Sequence, residues 1–450
     1  MTTTVPTVSE FVDEGLGHSS YLVDLGDGTA LVIDPARLPV GQREEATRRG
    51  LAIEFTADTH THADYVSGGT DLASLGARII APTDANLQVP HHGMEGGDEL
   101  EVGRYRLRAI ATPGHTPDHL AYVLLDAGRP VALFSGGSLM VGTAGRTDLL
   151  GIEHADELAH RLYHSLHDQI LTLPDDLPVY PTHGAGSFCA APAGSSRTST
   201  IGGERVSNPL LLLDEDAFVD RHVAGFGSLP AHFRRLPEMN RLGPRVYPTV
   251  PPLERLDPRT VGTLVAQGAT LVDVRAIGRF AQAHPVGALS NQLRPIFASW
   301  AGWLMDAAKP VVFVVADDQD ESDLVRQCLT VGIELLAGRL DGGPAAWADA
   351  GLDVESTLLV GPGAMAPTVI DVRQSDEFDI AHIPGALNVE LAELGAAELP
   401  EGPLTIMCGH GERAMTGASI LSSIDDREIS VLAGGPDTWA EATGLSLIRS

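Results

Sequence analysis

Thr59-His60-Thr61-His62-Ala63-Asp64-Tyr65 is the stretch on which the reading of the chain's first half turns. It follows a predicted strand and runs into Ser67-Gly68-Gly69. Histidines two apart face the same way only on extended backbone, and both imidazoles can then converge on one ion. Outward from it, Thr112-Pro113-Gly114-His115 and Tyr180-Pro181-Thr182-His183 set two further histidines in turns. One such histidine is ordinarily just solvated; four within one domain predict a metal centre. Strand-like runs at 20–25, 29–33, 78–81, 105–111, 121–125 and 131–134 mix hairpin spacing with occasional helices. They predict a layered sheet sandwich whose edge carries the histidines.

The whole chain has 450 residues, with 30 basic and 60 acidic side chains and a formal charge of −30; 43% of residues are hydrophobic and 20% charged. This is a globular composition, and at roughly 100–200 residues per domain the length allows several domains. Nucleic acid and anionic membrane surfaces both call for a basic footprint, so neither is expected as a partner. No apolar run reaches the roughly 18–20 residues of a membrane span. Met1-Thr2-Thr3-Thr4-Val5-Pro6 lacks the basic and apolar regions of a signal peptide, which points to the cytoplasm. Cys189, Cys328 and Cys408 are too few for a disulfide framework and wrongly spaced for a zinc cluster.

The second half contains a repeat. Val272-Asp-Val-Arg275 with His284-Pro-Val-Gly-Ala-Leu289 matches Ile370-Asp-Val-Arg373 with His382-Ile-Pro-Gly-Ala-Leu387, 98 positions on (272 to 370). Leu340-Asp-Gly-Gly-Pro344 with Trp347 matches Leu432-Ala-Gly-Gly-Pro436 with Trp439, 92 positions on (340 to 432). Duplication of one domain of about 90–100 residues is implied. Short β-branched runs (270–274, 311–315, 369–372, 404–407) alternate with helix-like stretches, the pattern of a parallel α/β domain. Pro-rich 244–258 and 360–367 read as linkers. The expected domains are 1–245, 246–357 and 358–450.

Ile406-Met407-Cys408-Gly409-His410-Gly411-Glu412-Arg413 carries the sharpest chemical signal. A strand delivers Cys408 into a glycine-containing loop, and a helix follows. Loop amides, the helix dipole and the Arg413 charge would together favour a thiolate. At the matching place in the first copy stands Phe313-Val-Val-Ala-Asp317-Asp318-Gln-Asp320-Glu321, without cysteine and with acid where an anion cradle would be. That copy is expected to be catalytically silent, with Cys328 as core.

Two resemblances follow from these motifs. Residues 10–245 resemble the metallo-β-lactamase fold, and within it the persulfide dioxygenase branch, through Thr59–Asp64, Thr112–His115, Phe134-Ser-Gly136, Gly145-Arg146-Thr-Asp148, His183-Gly-Ala-Gly-Ser-Phe-Cys189 and Ser199–Gly202 with Glu204, Arg205, Asn208 and Pro209. Residues 365–450 resemble the rhodanese family through Asp371-Val-Arg373, Glu377, His382–Ala386, the Cys408–Arg413 loop and Gly434-Gly-Pro436 with Trp439. The implied fold class is an αββα metallo-β-lactamase sandwich followed by two α/β rhodanese domains with parallel sheets, the first silent.

The resemblances also imply roles. His60, His62, His115, Asp64 and His183 would be the metal set for Fe(II) or Zn(II). Gly137 stands where the family has an aspartate ligand, which implies a degenerate site with metal weakened or absent; Tyr65 replaces a histidine of the second metal position. Cys408 would be the sulfur-carrying nucleophile with Arg413 beside it, and Gly409, His410, Gly411 and Glu412 its cradle; Arg146 and Cys189 would line the substrate side. The function so implied is sulfur metabolism: a sulfurtransferase working through Cys408 persulfide, coupled to a persulfide dioxygenase-like metal domain. Its partners would be a low-molecular-weight persulfide such as that of glutathione, or thiosulfate, and a thiol acceptor, with a homo-oligomer left open. Two alternatives stand beside it: a non-catalytic metallo-fold serving as interaction platform, or a mononuclear metal-dependent hydrolase.

Overall fold

A computed structural model describes residues 5–189 and 196–449; Met1–Thr4, on which the expectation about a signal peptide partly rested, lie outside them. The chain divides into two units, Met1–Val250 with Leu329–Gly332, and Pro251–Cys328 with Ile333–Ser450.

In the first unit, β1 (Val8–Asp13), β2 (His18–Asp24), β3 (Thr29–Ile33), β4 (Ala52–Ala57), β5 (Arg78–Pro82) and β6 (His92–Met94) form one sheet in chain order. Pairing is antiparallel from β1 to β3 and parallel from β3 to β6. The second sheet takes β7 (Glu99–Val102), β8 (Tyr105–Ala111), β9 (Leu120–Asp126) and β10 (Arg129–Gly136). After the small hairpin β11 (Leu139–Met140) and β12 (Thr143–Ala144), β13 (Pro178–Pro181) and β14 (Ser199–Thr200) complete the order β14-β13-β10-β9-β8-β7.

Period-two alternation builds the layers. Tyr21, Val23, Leu31 and Ile33 point into a core shared with Leu107, Tyr122, Leu124 and Phe134 of the other sheet. Leu22, Ala30 and Val32 face the opposite way, onto Ala46 and Leu72 of helices Val40–Arg49 and Gly69–Ala73. Strand β9 does the same: Ala121, Val123 and Leu125 turn outward to Leu162, Leu166 and Phe218. Two sheets with helices outside result, the expected αββα sandwich; each large apolar side chain so buried contributes about 1.5–3 kcal/mol. Its edge gathers the ends of β4, the β8–β9 loop, and the parallel pair β10 and β13, which lead into Gly137 and Thr182-His183.

The second unit holds two five-stranded parallel sheets. One orders β15 (Arg255–Leu256), β16 (Thr270–Asp273), β18 (Leu289–Ser290), β19 (Val311–Val314) and β20 (Leu336–Leu340) as β15-β20-β19-β16-β18, with β17 (His284–Pro285) and β21 (Val354–Glu355) paired apart. The other orders β22 (Leu358–Val360), β23 (Thr368–Asp371), β24 (Leu387–Asn388), β25 (Leu404–Met407) and β26 (Ile429–Leu432) as β22-β26-β25-β23-β24. The two orders are one topology. Their helices pack into a single core, where Phe280, Trp300, Val312 and Val314 join Ile370, Leu391, Ile406 and Met415. Among the described residues no helix is long and apolar enough to cross a membrane.

Candidate metal centre and cysteine loop

Strand β4 ends at Ala57, and the irregular chain beyond it carries His60, His62 and Asp64, each at most 2% exposed. The ligand atoms of His60, His115 and His183 lie within 4.8 Å of one another. Two of the rings are tied at Nδ1. The Arg146 carbonyl accepts from His115 Nδ1 at 2.7 Å, which puts the proton there and leaves a lone pair on Nε2. Thr59 Oγ1 donates to Asp34 Oδ2 at 2.8 Å and therefore accepts from His60 Nδ1 at 2.9 Å, with the same result. Asp64 Oδ2 lies 3.3 Å from His183 Nδ1. The Nε2 lone pairs of His60 and His115 thus turn toward His183; the Nε2 atoms of His60 and His183 are 3.5 Å apart, and His115 Nε2 is buried without a partner. Burial, reinforced by the neighbouring imidazoles, pushes His60 and His115 well below the ordinary histidine pKa, keeping them in the neutral form that binds a metal. The donor set fits a cation: three imidazoles with positions left open, oriented by a carboxylate–hydroxyl relay and a carbonyl behind them.

His62 stands outside this trio but in both of the other candidate clusters. Its Nε2 faces Asp34 Oδ1 at 3.2 Å and the Tyr65 hydroxyl at 3.1 Å. Burial lowers its pKa, but Asp34 and Asp58 prevail and hold it up at about 10. It groups with Asp64 and His183, and separately with Asp34 and Asp58, outside the principal trio. His119 is no ligand either: Nδ1 meets Thr112 Oγ1 at 2.7 Å and Nε2 accepts from Gly137 N at 2.9 Å.

The expectation of a degenerate, metal-poor site is corrected here. A Cβ on Gly137 would lie 2.2 Å from His115 Cδ2 and 2.6 Å from its Nε2. As the chain folds, that space belongs to the His115 ring, and His183 completes the trio where a carboxylate was expected. The ligand cluster is intact.

Neither side chain expected to line the substrate side presents a free group. Arg146 is 3% exposed; its guanidinium clasps Asp148 through two bonds and donates to the carbonyls of Phe188 and Gly227. Cys189 is 1% exposed, packed with Ala63 and Phe233, and burial followed by the Asp64 charge pushes its thiol pKa well up. Arg205 pairs with Asp175 and the Leu171 carbonyl.

In the second unit β25 delivers Cys408 into its loop. Gly411, at φ +109°, donates its N–H to Cys408 Sγ at 3.1 Å. A Cβ on Gly435 would lie 2.0 Å from the Gly409 carbonyl oxygen, which explains the Gly434-Gly435-Pro436 motif. Arg413 makes a two-pronged pair with Glu377 at 2.5 and 2.8 Å and lies over the Trp300 ring, so its charge is already matched. His410 is exposed, Gly409 and Glu412 half-buried, and Arg294 stands 3.9 Å from Glu412. The sulfur itself is closed in: Cys408 is 1% exposed and belongs to the core with Ile406, Ala414 and Met415. Burial of the nucleophile opposes an active persulfide relay and overturns the expected sulfurtransferase function. Cys328 is buried core, its thiol pKa raised by burial.

Persulfide dioxygenase ETHE1 of Bos taurus is 34% identical to this chain over 213 residues, 46% of this chain and 77% of the relative. The Homo sapiens protein gives 34% over 204 residues, 44% and 74%. The chain belongs to the persulfide dioxygenase family. This family membership rests on the first half. A hydroxyacylglutathione hydrolase of Brucella ovis is 32% identical over 139 residues, 30% of this chain and 50% of that protein. The crystal structure of a metallo-β-lactamase from Staphylococcus aureus subsp. aureus COL superposes with a TM-score of 0.67 at 26% identity, covering 75% of this chain and 99% of its own.

The rhodanese-like domain family matches residues 359–442. One rhodanese domain, not the two expected, therefore follows the metallo-β-lactamase sandwich. The preceding α/β element repeats the strand order but has no thiol cradle: after β19, Gln319 bonds the Ala316 amide and Val274 carbonyl, and Asp318 pairs with Arg279. Side chains occupy the loop that would have held sulfur.

Sequence reading missed Asp34, His119 and Asn240. Asp34 closes an apolar strand just before Pro35, a signal that could have marked it; Asn240 left none.

Proposed function

We propose that the first unit is a mononuclear metal-dependent hydrolase acting on a sulfur-linked conjugate of a low-molecular-weight thiol. The observation that carries this is the convergence of three imidazoles, His60, His115 and His183, whose ligand atoms lie within 4.8 Å of one another. His60, His115 and His183 would hold a divalent transition-metal ion, which would supply an activated oxygen nucleophile near neutral pH and Lewis acidity toward a carbonyl. The chain's own residues prepare the place. Asp34 and Thr59 fix the His60 tautomer, the Arg146 carbonyl fixes His115, and Asp64 faces His183. The neighbouring cluster of His62, Asp64 and His183 is a two-His-one-carboxylate set, the kind that favours Fe(II) oxygen chemistry, and it supports the second reading below. The likeness to a hydroxyacylglutathione hydrolase supports a glutathione thioester as the substrate class.

A second reading, oxygenation of a persulfide, is favoured by the 34% identity to persulfide dioxygenases. One experiment separates the two. The purified chain is analysed for metal, then offered a glutathione thioester and glutathione persulfide in parallel, with thiol release and O₂ uptake recorded. One ion per chain with thioester cleavage and no O₂ uptake is expected. Uptake with persulfide and no cleavage would replace the first reading with the second, and a chain that takes up no metal would end both.

A further inference from the structure

The turn that carries His62 and Asp64 is held by a residue far away in the chain. Asn240 lies on the short helix Leu236–Leu242 and is 7% exposed. Its Nδ2 donates to the carbonyls of His62 at 2.8 Å and Tyr65 at 2.9 Å, and its Oδ1 accepts from Ser67 N at 2.9 Å. Carbonyls only accept and an N–H only donates, so the orientation of the carboxamide is fixed by its partners. One side chain thus spans both ends of the four-residue turn His62–Tyr65 and anchors the residue that follows it.

We infer that Asn240 is the positioning residue of the His62–Tyr65 turn beside the metal centre, a clamp that sets where Asp64 and the imidazole of His62 stand. The inference rests on the reading of the centre given above. Its logic is geometric. Asp64 stands 3.3 Å from His183 Nδ1 with neither carboxylate oxygen in a well-formed hydrogen bond, so the placement of its backbone decides whether the two groups meet. The chord between the His62 and Tyr65 carbonyls is what holds it, and Asn240 sets that chord. His62, between Asp34 and Tyr65, would shift with it. Asn240 touches no ligand atom of the trio; it acts through the backbone.

Substitution Asn240→Asp keeps size and the acceptor for Ser67 while removing both donors to the turn. Groups that orient metal ligands typically change metal affinity by about 10–100-fold when altered. Chelator competition with Zn(II) or Co(II) should therefore show Asn240→Asp binding about 10–100-fold more weakly than the wild type, with an altered Co(II) visible spectrum. Glu238→Ala, which breaks an exposed pair with Arg241 on the same helix, should bind as the wild type does. A variant that melts lower yet binds metal with wild-type affinity and spectrum overturns the inference and leaves the metal centre standing; a wild type that binds neither ion overturns the centre and the clamp together. Should Asn240→Asp not fold, wild-type protein labelled with ¹⁵N-asparagine decides. The Asn240 carboxamide protons should be protected from solvent exchange and shift on addition of Zn(II). Protons that exchange freely and do not move refute the clamp.

Discussion

Replacing Asp34 with alanine would show how much of the centre hangs on one carboxylate. Asp34 is wholly buried at the end of β3. It accepts from Thr59 N at 2.7 Å and Thr59 Oγ1 at 2.8 Å, faces His62 Nε2 at 3.2 Å, and takes a hydrogen bond from Thr182 Oγ1. It thereby orients the residue before His60, the residue before His183, and His62 itself. Alanine would strand all four donors in a region closed to water. Removing one member of a buried charged network costs about 3–5 kcal/mol, a large share of a native stability of about 5–15 kcal/mol. For a unit of this size each kcal/mol moves the melting temperature by about 2–4 °C, so the first unit's calorimetric transition should fall by roughly 6–20 °C. Asp34→Asn, which keeps the shape but loses the charge, should fall in between. Metal affinity should drop in both, because Thr59 no longer holds His60 Nδ1. If Asp34→Ala melted within about 2 °C of the wild type, a cost of no more than about 1 kcal/mol, the carboxylate would not be the hub described.

Other perturbations have equally definite outcomes. Gly145→Ala would bring a Cβ within 2.2 Å of the Gly137 carbonyl oxygen and 2.7 Å of His115 Nδ1; overpacking of this kind costs about 1–3 kcal/mol, and a melting curve equal to the wild type's would contradict the packing. All three cysteines are buried, so native protein should react with a thiol reagent far more slowly than protein in denaturant; stoichiometric labelling of Cys408 within minutes would reopen the relay. Burial raises the Glu377 carboxyl pKa, but its pairing with Arg413 outweighs this and holds it below the ordinary range. The stability it contributes is therefore present above the unfolded value of about 4.3 and lost as pH falls through the lower folded value. Acid titration of tryptophan fluorescence, all four tryptophans being in the second unit, should show a steeper loss for wild type than for Glu377→Gln; equal slopes would remove the pair from the account.

Local pattern made much of the architecture readable. Strands expected at 29–33, 105–111 and 404–407 are the observed β3, β8 and β25, because alternating or continuous β-branched runs leave little choice of structure. The repeat announced two sheets of one topology. Sequence could not show that only one of them carries the rhodanese signature across its length, since strand order survives when loop chemistry is lost. At the centre, His60, His115 and His183 were legible from their turns. The grouping of these residues into separate clusters was not, for it depends on Asp34 facing His62, a contact 28 residues distant. Gly137 read as a missing ligand because a sequence lists what a position lacks and not what occupies its space. Asn240, hydrogen bonded 178 residues back along the chain, had no local mark at all.

The common core of the second unit bears on how such a chain can change over generations. Segments 246–357 and 358–450 look like duplicated modules, yet Phe280 and Trp300 from one complete the interior around Ile406 and Met415 from the other. A recombination joint placed in 360–367 would part residues that fill one another's space, and either piece carried into a new gene would arrive with an apolar face uncovered. The first segment has no thiol cradle, yet its side chains fill the shared interior. What is inherited is the pair.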